Sequence, residues 1–252
     1  MPATALFPRR LAITEIKLYL REPLATFFAI GLPLALLLIL GAAIPDFREP
    51  AADMGGARPV DTHLPGMMIL LSILTVAFSV MPSALVIYRE RGVLRRMSTT
   101  PVRPISVLTV QLVINAVTSI LATALMLIFG HLILEVPYPR MFLAFAGVFV
   151  LGSVTMFGIG LALAAVAPNS RVVQSVGAGI MFPLLFLGGM WLPRPLMPEW
   201  LLVVSDYSPT GAFGQALTDV LGNHAPSLLH LGVMVFWAAA GIVAATRWFR
   251  WE

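Results

Sequence analysis

Six uninterrupted apolar runs leave this 252-residue chain few ways to fold. They cover 24–44, 64–87, 105–134, 141–167, 172–192 and 227–246, and none holds an acidic or basic side chain other than histidine. Each reaches the roughly 20 apolar residues that a helix needs to cross a bilayer. Within hydrocarbon every backbone N–H and C=O must be paired inside the protein, which leaves helices or a closed barrel. Barrel strands alternate lipid-facing and lumen-facing residues, and these runs do not alternate. The expectation is an all-α membrane protein with six transmembrane helices in one membrane domain over 1–252. Composition agrees: 59% of the residues are apolar and 11% charged, against roughly 45–50% and 25% in soluble domains.

Charge between the runs sets the orientation. The connector 88–104 carries Arg89, Arg91, Arg95, Arg96 and Arg103, and excess Arg and Lys in short loops marks the cytoplasmic side. With that loop inside, both termini and the turn at 168–171 are inside too. Twelve of the sixteen basic residues then lie inside, and Arg48, Arg58, Arg140 and Arg194 lie outside. Basic residues scattered among membrane edges form no stripe for nucleic acid, despite a pI near 10.1. The first strong apolar run starts only after Pro23 and exceeds the length of a signal-peptide core, so no cleaved leader is expected.

Ahead of the first run, residues 8–22 read as an amphipathic interface helix. Arg10, Thr14, Lys17 and Arg21 follow i, i+4, i+7, i+11, and Ile13, Ile16 and Leu20 fall on another side. Such a helix either lies along the membrane surface, its cations near anionic headgroups, or is a solvated positive flank. Residues 193–226 are too rich in Pro, Gly and polar groups for a simple span, yet Trp200 to Val204 and Ala212 to Leu221 are apolar enough to dip into the outer leaflet. We expect an extracellular re-entrant helix pair there.

Chemistry is constrained by what is missing. A phosphate loop G-x-x-x-x-G-K-[ST] requires a lysine, and the only one, Lys17, follows no Gly-rich loop. There is no cysteine, no H-E-x-x-H and no G-x-S-x-G elbow. The chain is not expected to be an enzyme or to bind a metal or cofactor. His131 lies near the outer end of the third run and is read as an interfacial residue, not a proton relay. Within that run Gln111, Asn115, Thr118, Ser119 and Thr123 share one helical face. Either they line a substrate route or they hydrogen-bond between helices. Pro33, Pro82 and Pro183 fall inside runs, where each removes a backbone donor and kinks the helix.

Two motifs carry a family resemblance. The first is Glu90-Arg91-Gly92 followed by Leu94-Arg95-Arg96 and Thr100-Pro101. The second is Phe186-Leu187-Gly188-Gly189-Met190-Trp191-Leu192-Pro193, continuing to Met197-Pro198-Glu199-Trp200 and Ser208-Pro209. Together, over essentially the whole length, they resemble a membrane subunit of type-2 ATP-binding-cassette (ABC) exporters, in the branch of daunorubicin-resistance-like permeases. The resemblance implies an ABC transporter half that pairs with a second permease copy, identical or not, and with separate ABC ATPase subunits. Those subunits would bind ATP-Mg, and Arg89, Glu90, Arg91, Gly92, Arg95 and Arg96 would couple to them. It further implies outward movement of an amphiphilic drug, antibiotic or lipid-like compound across a bacterial cytoplasmic membrane. The alternative is a non-transporting membrane scaffold or assembly factor, in which the arginine loop only orients the chain.

Overall fold

The computed structural model describes residues 9–51, 56–92 and 105–248. Among these there is no strand. A short helix α1 (Arg9–Leu20) precedes α2 (Pro23–Ala43), α3 (His63–Glu90), α4 (Ile105–Leu134), α5 (Phe142–Val166) and α6 (Ser170–Leu187). Two shorter helices, α7 (Glu199–Tyr207) and α8 (Pro209–Leu221), lead into α9 (Leu228–Trp248). The six long apolar helices α2, α3, α4, α5, α6 and α9 are the spans. Chain order puts α1, the end of α3, the start of α4 and the α5–α6 turn at one end of the bundle. The α7–α8 pair lies at the other.

Prolines dictate the backbone of α2 and α3. A proline at position i leaves the carbonyl at i−4 without its helical donor. Pro33 does this to Ala29 and Pro82 to Phe78. The turn before each proline is widened into a π-turn, Phe27–Gly31 in α2 and Val76–Val80 in α3, a usual source of kinks. The Ala29 carbonyl is satisfied from outside its helix, by Ser72 Oγ of α3 at 2.5 Å. The widened turn of α3 is covered by glycines. Gly160 of α5 abuts the Ala77 carbonyl and Gly177 of α6 the Phe78 carbonyl, each so closely that a Cβ would overlap the oxygen.

α3 is therefore the central helix, and its core side chains include Ile69, Leu70, Ile73, Leu74, Phe78 and Met81. α5 and α9 pack along their lengths through Gly158 against Gly241, and Thr155 Oγ1 donates to the Met234 carbonyl at 3.0 Å. α8 enters the bundle between α3, α5 and α9. Its Phe213 ring lies against Gly152, eleven residues into α5, or about 15 Å along that helix.

Helix ends differ from the apolar runs where caps intervene. α3 continues past residue 87 to Glu90. α6 begins at Ser170, where the Asn169 side chain accepts from Val172 N. It stops at Leu187 and not at 192, because Gly188 caps it and Gly189 turns left-handed at φ 89°.

Candidate functional site

The last turn of α3 is where the structure concentrates charge and contact. Arg89 donates to the carbonyls of Ala164 (3.4 Å), Ala165 (3.5 Å) and Ala167, the unpaired acceptors that finish α5. The neighbouring Glu90 carboxylate accepts from the backbone N–H of Ser170 at 2.9 Å, the first residue of α6. A cation thus meets the negative end of one helix and an anion the positive end of the next, as the peptide dipoles favour. The pair latches α3 to the α5–α6 turn. Arg91 is exposed. Gly92, at φ 64°, ends α3 through a bond from its N–H to the Arg89 carbonyl. Arg95 and Arg96 lie outside the described residues.

A second connection runs to α1. Glu15 is buried, and one of its carboxylate oxygens accepts from Tyr88 Oη (2.6 Å) and from Gln111 Nε2 (2.7 Å). Burying a carboxylate is costly without such charge-assisted bonds. Glu15 therefore holds α1 against the last turn of α3 and the first turns of α4, the two helices that flank segment 93–104. The sequence reading did not single out Glu15. Its signal was a lone acid on the inward side of α1, in register with the buried Ala12 at i+3.

Around the rest of α1, Lys17 and Arg21 are exposed on one face and Ile13 and Ile16 on another. Arg10 lies in the same helix. The helix thus has three sides: one against the bundle, one basic and one apolar.

A search against protein-family models matches residues 9–221 to the ABC-2 type transporter model, from α1 to the end of α8. The chain belongs to the ABC-2 type transporter family. It is also similar to a protein of Bacillus subtilis (strain 168) named "Putative transport permease YvfS", with 20% identity over 231 residues and 89% of each chain covered. No solved structure matches significantly.

As a member of that family the chain is a multi-pass membrane permease subunit, a transport component and not itself an enzyme. In this ABC-2 permease the polar face of α4 is internal: Gln111, Asn115, Thr118, Ser119 and Thr123 are all buried within the one chain. Asn115 Nδ2 donates to the Gln111 carbonyl at 2.8 Å and Thr118 Oγ1 to that of Ile114 at 2.9 Å. Thr123 edges an apolar groove of about 300 Å³ against Phe142, Phe145 and Phe149.

The open face lies elsewhere. In α6 only Val173, Gly177 and Leu185 are buried. Arg171, Gln174, Ser175, Ala178 and Phe182, a stripe at i, i+3, i+4, i+7, i+11, are exposed. The surroundings of Gly179 are empty. Most of α6 and α2 is left uncovered within this chain, whereas most of α3 is buried. Ser175 and Gly179, four residues apart on α6, are both exposed among the described residues.

At the far end Asp206 of α7 binds Arg194, and its Oδ1 lies 3.1 Å from His230 Nε2 of α9. Arg194 also donates to Ser205 Oγ at 2.8 Å, and Ser205 Oγ donates to the Leu187 carbonyl. Burial works against the Asp206 carboxylate, but the Arg194 and His230 bonds outweigh it and hold its pKa below the usual range. Ser208 caps α8 through Gly211 N, with Pro209 at the first helical position. The Gly188-Gly189 and Ser208-Pro209 motifs thus end α6 and start α8. Sequence reasoning passed over His230, although an ionisable side chain within 227–246 is itself a signal. His131 is exposed in the last turn of α4, its Nδ1 2.9 Å from the Val136 carbonyl.

Proposed function

We propose that the chain is the membrane half of an ATP-driven exporter that moves an amphiphilic drug, antibiotic or lipid-like compound outward across a bacterial cytoplasmic membrane, with both termini in the cytoplasm. The observation that carries this reading is the Arg89–Glu90 latch beside the exposed Arg91. A push on Arg91 and segment 93–104 is transmitted to three places at once: α3, the α5–α6 turn, and α1 through Glu15. That is the mechanical requirement of a site docking a separate ATPase, which would bind ATP-Mg itself. Arg89 and Glu90 then act inside the permease, leaving Arg91, Arg95 and Arg96 for contact.

α1 suits the membrane surface, with Ile13 and Ile16 in the acyl boundary and Lys17 and Arg21 at the headgroups. The α7–α8 pair is the external re-entrant segment. Hydrophobic matching alone leaves Gln174 and Ser175 unpaired in lipid. A second permease copy, identical or homologous, covers the α2–α6 face, and the polar stripe of α6 borders the route between the copies. On the buried α4 face Gln111 bonds across to Glu15 of α1, while Asn115 and Thr118 bond back within α4.

Co-reconstitution with a partner ABC ATPase subunit tests the proposal. ATP should drive a fluorescent amphiphile across the liposome membrane, and reversing charge at Glu90 and Arg91 should abolish that movement without affecting insertion. Wild-type transport in the reversed variant, or ATPase activity indifferent to the permease, would favour a scaffold instead.

A further inference from the structure

A cavity of about 420 Å³ opens at the α7–α8 end, between the start of α3, the loop before it and α8. One stripe of α8 faces it, Gln215, Thr218 and Asp219 at i, i+3, i+4, and His63, His224 and Leu202 complete the wall. This stripe is exceptional in a helix whose other residues are almost all buried, most of them apolar.

Charge is unbalanced in the cavity. Arg194 also reaches the wall, but its guanidinium is engaged with Asp206 and Ser205, and His230 also binds Asp206. The half-buried Asp219 has no ion pair among the described residues. Its side chain accepts from Gln215 Nε2 at 2.8 Å, a neutral donor. A partly desolvated carboxylate gains most from a cation that also brings hydrogen-bond donors.

We propose that this cavity binds an organic ammonium group, with Asp219 as its counter-ion. A primary ammonium has three donors and no acceptor. Asp219 takes one donor, and Thr218 Oγ1, whose own proton goes to the Gly214 carbonyl, takes another. The Gln215 amide oxygen or an imidazole nitrogen takes the third, and the carbon skeleton rests on Leu202. The cavity falls within the size range of small-molecule sites. If the ligand is cargo, the site names a substrate class for the exporter, and in that respect only it rests on the function proposed above.

Binding to the isolated full chain separates the two ideas, because it needs no ATPase. Phenethylammonium and phenethyl alcohol are titrated by saturation-transfer NMR onto the protein in phosphatidylcholine nanodiscs. The ammonium should bind about tenfold more tightly than the alcohol, as expected for a charge-assisted bond. Asp219→Asn should erase that preference, while Asp219→Glu and the α7 control Glu199→Gln should keep it. Equal binding of both probes, an unchanged preference in Asp219→Asn, or displacement by sodium as effective as by a competing amine would overturn the proposal. If Asp219→Asn does not fold, Gln215→Ala and Thr218→Val serve instead. Each should weaken ammonium binding roughly threefold and spare the alcohol, and no change in either would refute it.

Discussion

Replacing Gly160 by alanine tests whether the widened turn of α3 really sets the packing of this bundle. The added methyl would overlap the Ala77 carbonyl oxygen, with Met81 Cε also only 3.2 Å away. Neither backbone can yield locally, since the π-turn of α3 is also held by Gly177 on α6. Overpacking of this kind costs about 1–3 kcal/mol, partly offset by up to about 1 kcal/mol of helix propensity. Gly147 lies in the same helix with nothing within 4 Å of its missing Cβ, so Gly147→Ala keeps the propensity gain without the clash. The two variants should therefore differ by the overpacking term alone, about 1–3 kcal/mol, or roughly 2–12 °C in unfolding midpoint for a chain of this size. Thermal unfolding in dodecyl maltoside, followed by circular dichroism, reads that difference. Equal midpoints for the two variants would refute the close approach of α5 to α3.

Other consequences follow from buried polar groups. Glu15→Ala leaves Tyr88 Oη and Gln111 Nε2 without their acceptor and should cost about 2–4 kcal/mol, whereas Glu15→Gln, which keeps an acceptor oxygen, should cost less in the same unfolding assay. Ser72→Ala strands the Ala29 carbonyl above Pro33 and should destabilise by about 1–2 kcal/mol in the same assay. Burial pushes the Asp219 carboxyl above its ordinary pKa. The unfolded chain therefore loses this proton at lower pH than the native one, and the Asp219 contribution to stability falls as pH climbs from the ordinary carboxylate value through the raised one. Asp219→Asn should remove that decline, and a pH series of melting midpoints would show it unchanged if the assignment is wrong.

The six spans are legible because each contains a long run free of Asp, Glu, Lys and Arg, so the cost of burying charge writes them directly into the sequence. Proline positions foretell bends as well, and simple i−4 counting from Pro33 and Pro82 locates the freed carbonyls. What covers them is not legible: Ser72 and Gly160 are ordinary residues until the helices are placed side by side. The same holds for the polar face of α4, visible as a face from its spacing but silent about whether lipid, water or protein lies against it. Arg89 and Glu90 illustrate a different limit. Their charges suggest contact with another subunit, but the nearest partners are dipole ends of their own chain, and helix ends become neighbours only through the tertiary fold. Glu15 stands out least, since one acid in a basic helix gives no hint that it faces inward.

The chain contains no cysteine, so a single Arg91→Cys substitution gives an unambiguous reporter of the end that carries the latch. In vesicles of known sidedness, a membrane-impermeant maleimide should label it only from the cytoplasmic face, and addition of the ATPase subunit should protect it. Labelling from the opposite face, or labelling that the ATPase leaves unchanged, would contradict the assignment of this end as the docking site.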